Sequence, residues 1–160
     1  MVSLFRPGKP SPRLERLHQL GLFVNLTPAE LQIVDGLLHE RDYLDGEVIF
    51  DEGEEGQAIY IIARGEVLIC RQGLGDAGRV AQLGPGTFFG ELALLDDSPR
   101  SAQARAASAC QLIVFFRDDF VGLLDTHARI ASKISRQLAC HLGARLRDMA
   151  LSVGAHHHLL

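Results

Sequence analysis

Short runs of β-branched and aromatic residues fill the middle of the chain: EVIF, AIYIIA, EVLIC, RVAQL and TFF. They are separated by Gly46, Gly53, Gly56, Gly65, Gly73, Gly75, Gly78, Gly84 and Gly86. Each run is shorter than an ordinary helix and stops at a residue free to turn. Many short strands joined by glycine turns hide their apolar faces in an antiparallel sandwich or barrel-like roll. Two further strands are predicted over Gln103–Ser108 and Cys110–Phe116, divided by a turn around Ala109. The strand texture begins at residue 41. The acidic band Asp42, Asp45, Glu47, Asp51, Glu52, Glu54 and Glu55 reads as a solvated edge that guards exposed strands against mispairing.

Helical segments flank this region. The Pro-rich residues 1–13 form a mobile lead-in, and Leu14, Leu17, Leu20 and Leu22 then recur near helical spacing. In Thr27-Pro28-Ala29-Glu30, threonine is the N-cap, proline the first helical residue and glutamate the capping-box partner, ahead of Leu31, Ile33, Val34, Leu37 and Leu38. After Arg117 a short helix covers 118–124, and a long one starts soon after Thr126 and runs to about Val153. Ala139, Leu142, Leu146, Met149 and Val153 alternate by three and four along it. That is a heptad seam for a partner helix, or a face packed on the roll.

At 160 residues the chain fits one domain over 14–153, with a tail at 154–160 whose His156, His157 and His158 resemble a tag. A formal charge of -4 argues against a phosphate-tracking nucleic-acid surface. Without a bilayer-length apolar run or a signal-peptide core, the sequence points to the cytoplasm. Cys70, Cys110 and Cys140 lie far apart and read as free thiols, neither a disulfide framework nor a haem or iron–sulfur site. The strand region 41–116 has no histidine, while His18, His39, His127 and His141 are placed on helices at no ligand-like spacing. No metal site and no nucleophile–base pair emerges, so the chain reads as a non-enzyme.

The chemistry concentrates in FFGELALLDDSPRSA, residues 88–102. Gly90 admits close backbone approach, and Glu91 to Leu95 are helix formers whose first N–H groups suit an anion. Arg100 offers a planar fork matched to phosphate or carboxylate, and Ser101 adds a hydroxyl. Glu91 repels an anion but grips a hydroxyl donor, so a sugar joined to a phosphate satisfies both residues. The competing reading is a Glu91–Arg100 salt bridge that closes the loop, and residue types alone favour it.

Phe89-Gly90-Glu91-Leu92-Ala93-Leu94 followed by Pro99-Arg100-Ser101-Ala102 resembles the phosphate-binding cassette of the cyclic nucleotide-binding domain family. That family includes the catabolite activator protein and the regulatory subunits of cyclic AMP-dependent kinase. Gly46 to Phe50, Glu52-Gly53, Ala58 to Ile62 and Gly65-Glu66-Val67 extend the resemblance, which covers roughly residues 15–150. It implies an α+β fold: an antiparallel, jelly-roll-like β-roll of about eight strands, N-terminal helices, and a long C-terminal helix serving as lid and dimer seam.

By the same resemblance Glu91 accepts the ribose 2′-hydroxyl and Arg100 pairs with the cyclic phosphate, with N–H groups of Gly90, Leu92, Ser101 and Ala102 around it. Ile69, Val80 and Ala81 wall the purine, and His141, Leu142 and Arg145 approach from the long helix. Leu94, Leu95, Phe120, Leu123 and Leu124 are expected to carry a switching motion. The chain departs from the family in Gln57, where Asp is usual, and in His141 and Arg145, where the activator protein has a Thr-Ser pair. The implied function is a cyclic nucleotide receptor, cyclic AMP ahead of cyclic GMP, without bound cofactor. The alternative is a ligand-independent scaffold or dimerisation domain of the same fold. Expected partners are the nucleotide, an unidentified protein effector and a second copy through the long helix, not DNA or membrane. With so little sequence after that helix, the chain reads as a stand-alone module or an excised domain.

Overall fold

The computed structural model describes residues 11–71 and 78–157, with the side chains of Arg79 and of 153–157 outside that description. The expected lead-in through residue 10, Gly73, Gly75, the Val153 end of the seam and the histidine side chains of the tail therefore lie outside the described residues. Among the described residues, eight antiparallel strands form two sheets. One has the order β1 (His39–Tyr43), β8 (Cys110–Phe116), β3 (Ala58–Arg64), β6 (Phe88–Phe89). The other has the order β2 (Val48–Phe50), β7 (Gln103–Ala106), β4 (Val67–Cys70), β5 (Arg79–Leu83). This is the expected β-roll.

The near-continuous apolar runs of β3 and β8 have a structural cause, because the sheet they build is covered on both faces. Ile59, Ile61, Ile113 and Phe115 point to the helices, while Ala58, Tyr60, Ile62, Leu112 and Val114 point into the roll. The two phenylalanines of β6 divide the same way, Phe88 outward to the helices and Phe89 inward.

Helices α1 (Pro12–His18) and α2 (Pro28–Asp35) join α3 (Arg117–Thr126) and α4 (Ala128–His157) over that outer face. Leu17, Phe23 and Val34 meet Phe120, Ile134 and Leu138 there in one buried cluster. The capping box of α2 forms as predicted, Thr27 Oγ1 accepting from Glu30 N–H and Glu30 Oε1 from Thr27 N–H. Glu30 Oε1 also receives Lys133 Nζ of α4 at 2.5 Å, tying the two ends of the chain together.

Several expectations need correction. His39 is not helical: β1 begins there and pairs with β8, its ring 5.3 Å from that of Phe116. Four of the five β1 residues are exposed, so no apolar alternation announced the strand. β7 stops at Ala106 rather than Ser108, α3 starts at Arg117, and α4 extends four residues beyond Val153. Leu94, Phe120 and Leu123 are buried as a motion-carrying contact requires, but Leu95 and Leu124 stand 48% and 47% exposed and make no such core contact.

Candidate functional site

β6 runs at the sheet edge beside β3, and Gly90 (φ 73°, ψ 21°) turns the chain left-handed into a 3₁₀ helix, Glu91–Leu94. A side chain at Gly90 meets two obstacles. The backbone lies where L-residues are strained, and a Cβ would stand 2.5 Å from Arg100 Nη1. The glycine thus gives the cassette its turn and leaves Arg100 its place.

Arg100 is 8% exposed. Its Nη1 donates to Gly90 O at 3.1 Å and its Nη2 to Ala58 O at 2.8 Å, while Nε has no partner. Phe50 lies beneath, 4.1 Å from its ring centroid to Cζ, with Tyr60 at 5.7 Å. The backbone is clamped as well, Arg100 N–H donating to Glu54 O at 2.7 Å and Gly53 N–H to Arg100 O at 2.8 Å. Gly56 permits this approach, since a Cβ there would come within 3.2 Å of Nε. Burial pushes the Arg100 pKa down, against the favourable fields of Tyr60, Glu54 and Glu91. Among the described residues no carboxylate lies within ion-pair distance of it, so the Glu91–Arg100 salt bridge of the competing reading is absent. The fork instead holds two carbonyls and an aromatic face, with no directly paired carboxylate.

Glu91 is 3% exposed and finds its partner elsewhere. Arg145 Nη1 of α4 donates to Glu91 Oε1, and His141 Nε2, one turn earlier on α4, stands 3.9 Å from the same oxygen. The His141 ring packs on Phe88 at a centroid distance of 4.3 Å. Sequence spacing could not single out Arg145 as the partner, because 54 residues separate it from Glu91.

A cavity of about 300 Å³ opens between the cassette, β4, β5 and α4, at the lower end of the small-molecule range. Of the site residues singled out from the sequence, all but Leu142 line it. Phe89, Gly90, Glu91 and Leu92 form one side, and Arg100, Ser101 and Ala102 another. Ile69, Val80 and Ala81 supply an apolar wall, and His141 and Arg145 close the α4 side. Leu142, expected to approach as well, is not among the lining residues. Sequence reasoning missed the aromatic floor of Phe50 and Tyr60, the Phe88 support and the close approach at Gly56. The aromatics carry no signal apart from core alternation, whereas Gly56 was visible only as one turn glycine among many. Gln57, the departure noted above, accepts Arg117 N–H at its carbonyl and so acts through its backbone. A second cavity, about 630 Å³ beside α1, is lined by Arg13 and Arg64, already bonded to Asp35, Glu40 and Gln111.

Residues 40–127 match the family model for the cyclic nucleotide-binding domain. The chain is 38% identical over 133 residues to the cyclic AMP receptor protein of Thermus thermophilus, covering 82% of this chain and 60% of that protein. It therefore spans less than two thirds of that relative. Among solved structures, the catabolite activator protein of T. thermophilus superposes with a TM-score of 0.72 at 38% identity, covering 83% of this chain and 61% of the other. A cyclic nucleotide-binding domain from Methylobacillus flagellatus superposes with a TM-score of 0.74 at 26% identity, covering 84% and 76% respectively.

Proposed function

The chain belongs to the cyclic nucleotide-binding domain family, and on that premise we propose that it is a receptor module for a cyclic nucleotide that changes conformation on binding. One observation carries the reading. Arg100 is buried without a carboxylate, faces a cavity of nucleotide scale, and shares that cavity with a buried hydroxyl acceptor, Glu91. An anion placed against Arg100 offsets the cost of burying its charge, which a loop-closing arginine paired within the protein would not require.

In this reading Arg100 takes the cyclic phosphate, helped by the N–H groups of Gly90, Leu92, Ser101 and Ala102. Glu91 accepts a ribose hydroxyl. Ile69, Val80 and Ala81 receive the base, which His141 and Arg145 border from α4. Cyclic AMP ranks ahead of cyclic GMP because the similar T. thermophilus receptor is named for cyclic AMP. The role is binding rather than catalysis, in a cytoplasmic setting.

Movement has a ready path. The 3₁₀ turn touches both β3 and α3, and Leu94 shares a buried cluster with Phe120 and Leu123. A cassette drawn toward phosphate therefore displaces α3 and, behind it, α4. Ligand drives this only to the extent that it binds the closed arrangement better. The outer half of α4 leaves Leu146 and Met149 66% and 62% exposed, and these are the residues through which two copies would pair.

Calorimetric titration of folded, ligand-free protein with cyclic AMP, cyclic GMP and 5′-AMP tests the proposal. Saturable binding of a cyclic nucleotide, with 5′-AMP much weaker, is the expected result. Silence from all three overturns the receptor reading and leaves the scaffold alternative.

A further inference from the structure

Leu95 and Leu124 are exposed where a motion-carrying contact would bury them, and Val121 joins them at 45%. The three are not scattered. Val121 and Leu124 stand four and seven residues after Arg117 and share one stripe of α3 with it, beside the buried stripe of Phe120 and Leu123. Arg117 fixes where the cassette meets that stripe: its Nη1 donates to Asp96 O at 3.1 Å and pairs with the Asp97 carboxylate. Leu95 immediately precedes Asp96 and ends the 3₁₀ turn, whose Leu94 shares a buried cluster with Phe120. An apolar face therefore continues from the end of the cassette along α3.

Carboxylates border this face on two sides. Asp96 and Asp97 lie on the cassette side, and Asp118 and Asp125, seven residues apart, form the next row of α3. Arg117 balances Asp97, but among the described residues neither Asp118 nor Asp125 has an ion-pair partner. Asp118 is accounted for by its place in the first turn of α3, where the helix dipole favours an acid. Asp125 is not. It stands at the other end, in a last turn without a basic residue, and there the dipole opposes it. A cation brought from outside offsets that cost.

We infer that this face is a docking surface for a basic amphipathic helix of a partner protein. The partner's apolar side lies on Leu95, Val121 and Leu124, and its Lys or Arg residues reach Asp118 and Asp125. The same carboxylates repel nucleic acid and anionic membrane, so the surface discriminates by charge as well as by shape. It goes beyond the receptor reading and does not depend on it. A partner seated there nevertheless touches both the cassette and α3, the elements that the receptor reading sets in relative motion.

The probe is a labelled synthetic peptide of leucine and lysine, with leucines at alternating three- and four-residue spacing, followed by fluorescence anisotropy against the full chain. A control peptide has the same composition in scrambled order. The spaced peptide is expected to bind and the scrambled one to bind more weakly. Val121→Ser combined with Leu124→Ser weakens binding by about tenfold or more, the scale of an aliphatic side chain lost from an interface. Both side chains are exposed, so thermal unfolding of that variant stays close to wild type. Asp125→Asn weakens the peptide by about two- to fivefold at low salt and less at high salt, while the chain alone is as stable as before or more so. Leu146→Ser combined with Met149→Ser, on the other exposed apolar stripe, leaves binding within about twofold. No binding of the spaced peptide, equal binding of the scrambled one, or loss through the α4 variant and not the α3 variant overturns the docking surface. A chain that ignores every cyclic nucleotide yet holds the peptide at α3 overturns the receptor reading and supports the surface.

Discussion

Arg100→Ala separates the binding role of the cassette from its structural role. In the receptor reading the guanidinium makes two charge-assisted bonds to phosphate oxygens. At about 1.5–3 kcal/mol for each such bond, shared here with the N–H groups around it, removal weakens binding by about 3–4 kcal/mol, or roughly 150- to 1,000-fold. The effect on the ligand-free fold is much smaller, because opposing contributions nearly cancel. The variant loses the bonds to Gly90 O and Ala58 O and the contact over Phe50. It also escapes the desolvation of a charge that has no carboxylate partner, so the net loss is about 1–2 kcal/mol. Urea unfolding with and without cyclic nucleotide measures both quantities. At a ligand concentration of 100 times the wild-type Kd, wild-type protein gains about 2.7 kcal/mol, while a variant 300-fold weaker gains only about 0.2 kcal/mol. A variant that unfolds more than about 4 kcal/mol too easily, or binds as tightly as wild type, refutes the reasoning.

Gly90→Ala is expected to cost about 1–3 kcal/mol of stability from left-handed strain alone. It also weakens binding, because the new Cβ meets Arg100 Nη1; thermal unfolding and titration read the two effects. Glu30 supplies a pH dependence: the hydrogen bond from Lys133, then that from Thr27 N–H, holds its carboxyl below the usual carboxylate range. Its folded pKa is the lower one, so the stability it contributes is complete above the ordinary glutamate value and is lost as pH falls through the depressed folded value. Lys133→Ala should flatten that acid limb in urea unfolding series, and an unchanged limb would assign it to other groups. Leu146→Glu together with Met149→Glu should convert a dimer to monomer in sedimentation, with nucleotide affinity changed less than threefold; a wild-type chain that sediments as a monomer removes the seam.

The residues that gather at the candidate site are largely legible in the sequence, since those of the cassette are close together in the chain and their chemistry is unusual for a turn. Gly90, Glu91, Arg100 and Ser101 fall within twelve residues, and local spacing alone brings them to one place. The strand runs were equally readable wherever apolar side chains mark them. β1 was not, because its residues face water and only the pairing with β8 defines it as a strand.

Pairing is where sequence reasoning reached its limit. Nearness in the chain suggested that Glu91 and Arg100 neutralise each other, yet the folded protein gives Glu91 to Arg145 and seats Arg100 on carbonyls and Phe50. By itself the sequence determined which residue types gather at the cassette, where the chain turns, and that strands and helices must divide as they do, because propensity, periodicity and glycine placement act over a few residues. Only the tertiary structure decided which charge meets which, which aromatic lies under the arginine, and which half of α4 is anchored. Those outcomes depend on elements 40 to 100 residues apart being packed together, and burial then sets the strength of every charge they enclose.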